Sequence, residues 1–391
     1  MLQAKRISNR QEHAGIDDLL FGALAGLLVI GLIMVYSASI GMGDPNAVNS
    51  DVFVKQLTHV AIGCALMLTV SMIPVEFWHR TSTLILIMAL LSLVAVLIVG
   101  VERNGSRRWL SFAGMVQQPA EFAKLAMVIY AASYLTRRQA EITQFSKGIV
   151  NIGIVLAVIA ALLLLQPDFG SFFVITCTVG LMMFLGGIRI LHTLFCIGLA
   201  SVSMFFMVSM SGYRMQRLMS FRDPWADPFD SGFQLTQALI AVGRGEILGV
   251  GLGASIQKLY YLPHANNDFI FAVIAEELGL LGIMAVMALF ALFLHRALAI
   301  SRSAELVGRI YSARLAQGIG ILIVFQALIN MGVNLGALPT KGLTLPFISS
   351  GGSSMLVCCF AAGLLFAIDR QTKQRSVQTA STNKSSRRTK K

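Results

Sequence analysis

The sequence predicts an all-α polytopic membrane protein of about ten transmembrane helices with both termini cytoplasmic. Three observations carry this expectation. Of 391 residues, 56% are apolar and 13% charged, against roughly 45–50% and about 25% in soluble domains. The apolar residues fall in long runs with little charge, near the ~20 residues that cross a bilayer as a helix. Mean hydropathy is +0.73. Soluble, collagen-like, coiled-coil, disordered and disulfide-scaffold classes are set aside on these grounds. The net charge of +12 reads as topological, and no nucleic-acid partner is expected.

The apolar stretches lie at about 19–40, 56–75, 81–101, 119–136, 148–166, 169–188, 190–212, 268–294, 315–337 and 346–368. The first ends in Ser37, Ala38 and Ser39, yet its length suits an uncleaved anchor better than a signal peptide. The chain thus divides into a cytoplasmic segment 1–18, a membrane domain 19–368 and a basic tail 369–391. The tail, rich in Ser, Thr, Lys and Arg without apolar periodicity, is expected to be disordered near anionic lipid. Cys64, Cys177, Cys196, Cys358 and Cys359 all fall inside the stretches, so no disulfide framework is visible.

Orientation follows from the positive-inside bias. The side bearing the termini carries 20 Lys and Arg and the other side 11, which places both termini in the cytoplasm, with the tail supplying most of the difference. The informative loops then all face outward: 100–118, 166–170, 211–267 and 338–345. Within the longest, the apolar run 235–243 is too short to span and is expected on or in the outer interface.

Ionisable groups in or beside hydrocarbon are costly and therefore informative. Glu121 and Lys124 share one helical face, where they can pair with each other or with a ligand. Asp168, in Gln166-Pro167-Asp168-Phe169-Gly170, suits a turn or a helix cap, and the cap is preferred. Asp268 opens the eighth stretch as an N-cap or first-turn acid, but that role leaves Glu276 and Glu277 unexplained. The two glutamates point about 100° apart. One is expected to meet a basic group and the other to be structural. Arg103, Arg107, Arg108, Arg214, Arg217, Arg222, Arg244, Lys258 and Lys341 face outward against the charge bias. Either lipid headgroups or a polyanionic, lipid-linked substrate explains them. Trp109 fits an interfacial anchor.

Together these motifs resemble the SEDS family of polytopic cell-wall polymerases, and within it the cell-division branch. The resemblance rests on Val35-Tyr36-Ser37-Ala38-Ser39, Gly105-Ser106-Arg107-Arg108-Trp109, Pro119-Ala120-Glu121-Phe122-Ala123-Lys124 and Gln166-Pro167-Asp168-Phe169-Gly170. It continues through Asn267-Asp268-Phe269-Ile270-Phe271, Glu276-Glu277-Leu278-Gly279 and Pro339-Thr340-Lys341-Gly342-Leu343-Thr344-Leu345-Pro346-Phe347-Ile348-Ser349. The sequence departs from the family pattern at His264, Asn267 and Ser350.

The resemblance implies ten transmembrane helices and polymerisation of lipid II, an undecaprenyl-linked disaccharide-pentapeptide, at the outer face of the bacterial inner membrane during septal wall synthesis. It marks the aspartate at Asp268 as essential. It also implies a class B penicillin-binding transpeptidase partner, FtsI, and the divisome proteins FtsQ, FtsL, FtsB and FtsN.

The chemistry needs an activated acceptor hydroxyl and a stabilised pyrophosphate leaving group. Asp268 is the candidate general base. Arg107, Arg108, Lys124 and Lys341 are candidates for the pyrophosphate, with Trp109 and Glu121 beside the substrate and Asp168, Glu276, Glu277 and His264 in support. No ligand cluster demands a metal, although Mg or Mn could share the charge, and no nucleotide fingerprint is present. A flippase or transporter of the same lipid-linked precursor is the main rival. No internal repeat of the kind many transporters carry supports it. A scaffold that only recruits partners is a third reading, which the paired acids oppose.

Overall fold

The computed structural model describes residues 17–40, 50–103, 106–112, 115–142, 144–195, 198, 209, 212–230, 232–259, 262–263 and 265–388. Helix α1 (Asp18–Ser39) begins where Asp17 accepts the Leu20 N–H at 3.0 Å, a side-chain cap for one of the orphan donors of the first turn. α2 (Ser50–Met72) and α3 (Val75–Val99) are separated at Pro74, which biases Ile73 away from helical backbone. α4 (Pro119–Arg137) carries proline at its first position, where the missing N–H costs nothing. α5 (Asn151–Leu165) follows a π-helical turn, and α6 (Phe169–Leu185) follows Asp168. α7 (Gly212–Arg222) and α8 (Phe233–Gly245) lie in the long segment before α9 (Ile270–Leu306), α10 (Ile310–Asn334) and α11 (Gly352–Arg388).

Seven described helical segments are long and apolar enough to cross a membrane: Asp18–Ser39, Asp51–Met72, Val75–Val99, Gly148–Leu165, Ile270–Leu306, Ile310–Asn334 and Gly352–Gln378. Of the other expected stretches, 119–136 is α4, 169–188 holds α6, and 190–212 falls mostly outside the described residues. α4 packs against α3, α6 and α10 and is buried along most of its length. Protein on every side is what lets it carry Glu121 and Lys124 with modest hydropathy of its own. α11 runs along α2, and α9 along α1 and α10.

Three features depart from the expected pattern, and the 235–243 run, too short to span, takes a definite form. The all-α expectation misses a three-stranded antiparallel meander, β1 (Val101–Arg103), β2 (Ser106–Phe112) and β3 (Met115–Gln117). The Asn-Gly pair at 104–105 is a hairpin signal in the sequence. The apolar run 235–243 is the core of α8, which lies against α9. The stretch 346–368 starts as a buried loop: a Cβ on Gly31 of α1 would lie 2.7 Å from the Phe347 carbonyl oxygen. The tail expected to be disordered from 369 continues α11 to Arg388. Its first turn is anchored by Arg370 on the Met72 carbonyl (3.1 Å), by Gln371 on that of Ile73 (3.3 Å), and by an Asp369–Lys373 pair (2.7 Å).

α9 is broken. Gly279 has φ 63° and ψ −158°, separating a short buried helix, 270–278, from the long remainder. The backbone that follows α8 crosses at this break so closely that a Cβ on Gly279 would stand 2.4 Å from the Gly249 nitrogen. The lost helical bonds are replaced across the crossing: Val250 N–H donates to Glu276 O (3.0 Å), Gly251 N–H to Glu277 O (3.1 Å) and Leu280 N–H to Glu246 O (3.0 Å). Irregular backbone at this depth is tolerated because protein satisfies it.

The two ends of the bundle differ. At one end Asp17 pairs with Arg296, Gln371 accepts from Arg309 (3.0 Å), and the 369–373 turn of α11 lies near the head of α1. At the other end the meander, the 166–168 turn, the 246–269 segment and the 338–350 loop converge.

Candidate active site

Asp268 stands half-buried in the turn before α9. It is not the N-cap expected of it: Phe269 occupies that position, and the Ala272 N–H is accepted at 3.1 Å by Oδ1 of Asn334. The Asp268 carbonyl accepts from Asn330 Nδ2 (2.8 Å) and Asn334 Nδ2 (3.0 Å). α10 therefore fixes the backbone of the aspartate from behind.

The Lys341 loop is clamped to the same turn. Ser349 Oγ donates to Asn267 O (2.7 Å) and accepts from Leu345 N–H (2.7 Å), while Ser350 N–H donates to Asn266 O (3.0 Å). A Cβ on Gly342 would lie 3.1 Å from Asp268 Oδ2, so the peptide after Lys341 runs beside the carboxylate. The Lys341 ammonium sits 4.4 Å from the Phe173 ring centroid and 4.6 Å from that of Phe169, a cation–π geometry. Among the described residues it makes no ion pair. Burial lowers its pKa to about 8, because a desolvated ammonium is costly.

Asp168 is the cap that the sequence favours, accepting the Ser171 N–H (3.1 Å) and hydroxyl (2.8 Å). Arg108 reaches the same turn, donating from Nε to Gln166 O (3.0 Å) and from Nη2 to Pro167 O (2.7 Å). Its guanidinium holds backbone in this arrangement. Arg107 is exposed on the meander beside Glu102 (3.4 Å), and Trp109 is half-buried on the same strand.

Of the two alternatives for Glu121 and Lys124, the structure has the internal pair. Lys124 Nζ lies 2.7 Å from Glu121 Oε1 and 2.6 Å from Gln326 Oε1, and both charged residues are buried. Gln326 passes the contact on, donating to Thr344 O at 3.0 Å in the Lys341 loop.

The expectation that only one of Glu276 and Glu277 meets a base is corrected. Glu276 pairs with Arg244 (2.9 Å) and accepts from Ser255 Oγ; Glu277 pairs with Lys258 (2.8 Å) and accepts from Ser37 Oγ (2.7 Å). Their 100° divergence sends each acid to its own partner, both carried by the chain that crosses at Gly279. His264 lies outside the described residues.

Reasoning from charge alone passed over Gln326, Asn330 and Asn334. Their spacing of four places three amides on one face of the helix, within its otherwise apolar stretch from Gly318 to Asn334, a pattern visible in the sequence. Among the described residues no group of three or more His, Cys, Asp or Glu is gathered to hold a metal ion. Next to the meander, an apolar cleft of about 340 Å³ is lined by Leu66, Leu110, Phe122, Leu356, Val357 and Phe360 among others, a surface for hydrocarbon rather than sugar.

The family model described as "Cell cycle protein", covering FtsW, RodA and SpoVE, matches residues 18–374. The chain belongs to this family. It is 49% identical over 360 residues to a probable peptidoglycan glycosyltransferase FtsW of Nitrosococcus halophilus, with 91% of this chain and 93% of the relative covered. It is 46% identical over 368 residues to the protein of the same name in Hahella chejuensis, with 92% of each covered. Among solved structures, it superimposes at a TM-score of 0.76 and 25% identity on a chain of a peptidoglycan synthase complex that coordinates polymerisation and crosslinking, covering 92% of this chain and 98% of that one. Rod shape determining protein RodA of Thermus thermophilus, 24% identical with a TM-score of 0.68 over 91% and 97% of the two chains, shares the fold. The FtsW/RodA/SpoVE match covers every element that builds the site, from Ser37 on α1 to Ser353 on α11.

Proposed function

We propose that this chain is a peptidoglycan glycosyltransferase that polymerises lipid II into glycan strands. The observation that carries the reading is Asp268, its backbone carbonyl held by two asparagines and its carboxylate beside the Lys341 loop. The names of its relatives supply the reaction class. Asp268 takes the proton of the acceptor hydroxyl as that oxygen bonds to the anomeric carbon of the donor sugar. The bond to the lipid pyrophosphate breaks, and the departing oxygen carries the electron pair. Positioned proton transfer of this kind contributes about 10²–10⁴-fold.

Lys341 lies on the same loop as Gly342 and supplies positive charge toward the pyrophosphate. Arg107, exposed on the meander, meets phosphate at the rim with Trp109. Arg108 and Lys124 act by holding the 166–168 turn and the Thr344 peptide rather than by touching phosphate. Glu121, Asp168, Glu276 and Glu277 hold these elements in place. A magnesium or manganese ion would have Asp268 and the substrate's own phosphates as ligands, a set that suits a cation bound mainly through phosphate, and no step above depends on it.

In the cell the chain takes the ten-helix topology in the bacterial inner membrane with both termini cytoplasmic, which puts the site at the outer face of the division septum. The charge asymmetry supports this orientation. FtsI supplies peptide crosslinking, and FtsQ, FtsL, FtsB and FtsN assemble around the pair. The relation to a chain of a synthase complex supports a penicillin-binding partner. The test is the purified protein with lipid II in detergent, with and without the class B transpeptidase. Glycan polymer that disappears with Asp268→Asn is expected. Precursor moved across vesicles without polymer in either condition would establish the transporter reading instead.

A further inference from the structure

The three amides on α10 do more than fill its buried face. We propose that Asn330, flanked by Asn334 and Gln326, is a positioning residue that sets the separation between the Asp268 carboxylate and the Lys341 loop. This rests on the reading of Asp268 as the reacting carboxylate. One side-chain nitrogen, Asn330 Nδ2, donates to Asp268 O at 2.8 Å and to Leu343 O at 2.6 Å. Two segments far apart in sequence thus meet on the two hydrogens of one amide. Asn334 grips the aspartate turn twice, through Asp268 O (3.0 Å) and the Ala272 N–H (3.1 Å). Gln326 grips the lysine loop through Thr344 O (3.0 Å) and takes the Lys124 ammonium on its own oxygen (2.6 Å).

All three amides are buried, so each unmade bond would cost the desolvation of a polar group. The rod that carries them is a regular helix, and residues four apart on it lie about 6 Å from each other along the axis. Asp268 and Gly342 are therefore ruled against a common scale. The short helix that begins beside Asp268 is cut from the rest of α9 at Gly279, and the Lys341 loop has no regular backbone of its own. Ser349 and Ser350 tie the far end of the loop to Asn267 and Asn266; at the end that carries Lys341, the bonds to Leu343 and Thr344 come from the amides.

The chemical consequence is specific to turnover. A carboxylate and a cation displaced by about 1 Å still bind substrate, but proton transfer and charge stabilisation fall steeply with misplacement, by up to about a hundredfold. Asn330→Asp keeps the shape and turns a donor into an acceptor facing two carbonyl oxygens. Asn330→Ala removes both bonds.

The test measures kcat and KM for lipid II, the pH profile and the unfolding midpoint for Asn330→Ala, Asn330→Asp, Asn334→Ala and Asp268→Asn in the complete chain. The expected result is a fall in kcat of about tenfold or more for both Asn330 variants, KM within about threefold of the parent, a displaced pH profile and a smaller kcat loss for Asn334→Ala. If an Asn330 variant fails to fold, the kcat loss and pH shift of Asn334→Ala decide. An unchanged kcat and pH profile in the folded variants, with Asp268→Asn inactive, would overturn the positioning role. An active Asp268→Asn would instead remove the reading on which it rests.

Discussion

Lys258 Nζ lies 2.8 Å from Glu277 Oε1, with 1% and 0% of the two side chains exposed. The Ser37 hydroxyl stands 2.9 Å from the same ammonium and 2.7 Å from the carboxylate. A pair this deep is held by its mutual satisfaction, and removing one partner leaves a buried charge. Lys258→Met is expected to destabilise the protein by about 3–5 kcal/mol, and Lys258→Met with Glu277→Leu to recover most of the loss. Thermal unfolding in detergent checks this; a double variant as unstable as the single one would count against it.

Asp268→Asn replaces one oxygen by nitrogen and leaves the backbone carbonyl free to accept from Asn330 and Asn334 as before. Polymer formation from lipid II is expected to fall by at least about 10²-fold with the unfolding midpoint unchanged. A gel-based polymer assay beside a melting curve separates the two effects.

Lys341 supplies charge only while protonated, and its pKa of about 8 lies below the ordinary 10.5. Activity is therefore expected to fall as pH rises through 8, and Lys341→Arg, which stays charged, to extend the alkaline limb. Stability moves the other way. Between 8 and 10.5 the unfolded chain binds the proton that the folded chain has released, so the contribution of Lys341 rises with pH through that window. Parallel pH series of rate and unfolding midpoint, each compared with Lys341→Met, check both signs.

Gly279→Ala is expected to be among the most damaging single-methyl changes in the chain. It combines φ 63° with a Cβ 2.4 Å from the Gly249 nitrogen, and the cost is put at about 3 kcal/mol or more. Gly153→Ala, on α5 with nothing within 4 Å of the new Cβ, should be neutral or slightly stabilising. Expression and unfolding of the two variants side by side test the contrast.

Leu252, 61% exposed on the crossing segment, and Ser376 on α11 mark opposite ends of the bundle. In intact spheroplasts an impermeant thiol reagent is expected to label Leu252→Cys and to spare Ser376→Cys until the membrane is opened. Reversed labelling would invert the orientation read from charge.

The helices of the bundle were legible because hydrocarbon demands long apolar runs, and residue type alone reports those. The Asp168 cap was legible because its partner lies three residues away, while the equal spacing of Glu121 and Lys124 left a pair and a ligand contact both open. What sequence concealed is long-range. The break at Gly279 sits inside what hydropathy reads as one span, and its cause, the backbone at Gly245 to Gly251, is some thirty residues earlier. The partners of Glu276 and Glu277 are likewise on that chain and on α1. Gln326, Asn330 and Asn334 went unread because a search keyed to charge ignores amides, although a buried amide must find its bonds as surely as a carboxylate. The helical tail was missed because its composition resembles disorder, while its first turn is anchored by carbonyls at 72–73.

The crossing at Gly279 also changes what α9 is mechanically. The N–H groups of Leu280 and Leu281 are held by the carbonyls of Glu246 and Ile247, so the long part of the helix is seated on the segment that follows α8 as a piston rod on its crosshead. From 280 to 306 that rod is about 40 Å long, and about 24 Å along it at 1.5 Å per residue Arg296 grips Asp17 at the head of α1. Beyond Gly279 the backbone from the exposed Ile247 and Leu248 toward the end of the bundle where Asp17 lies is helical without a further break.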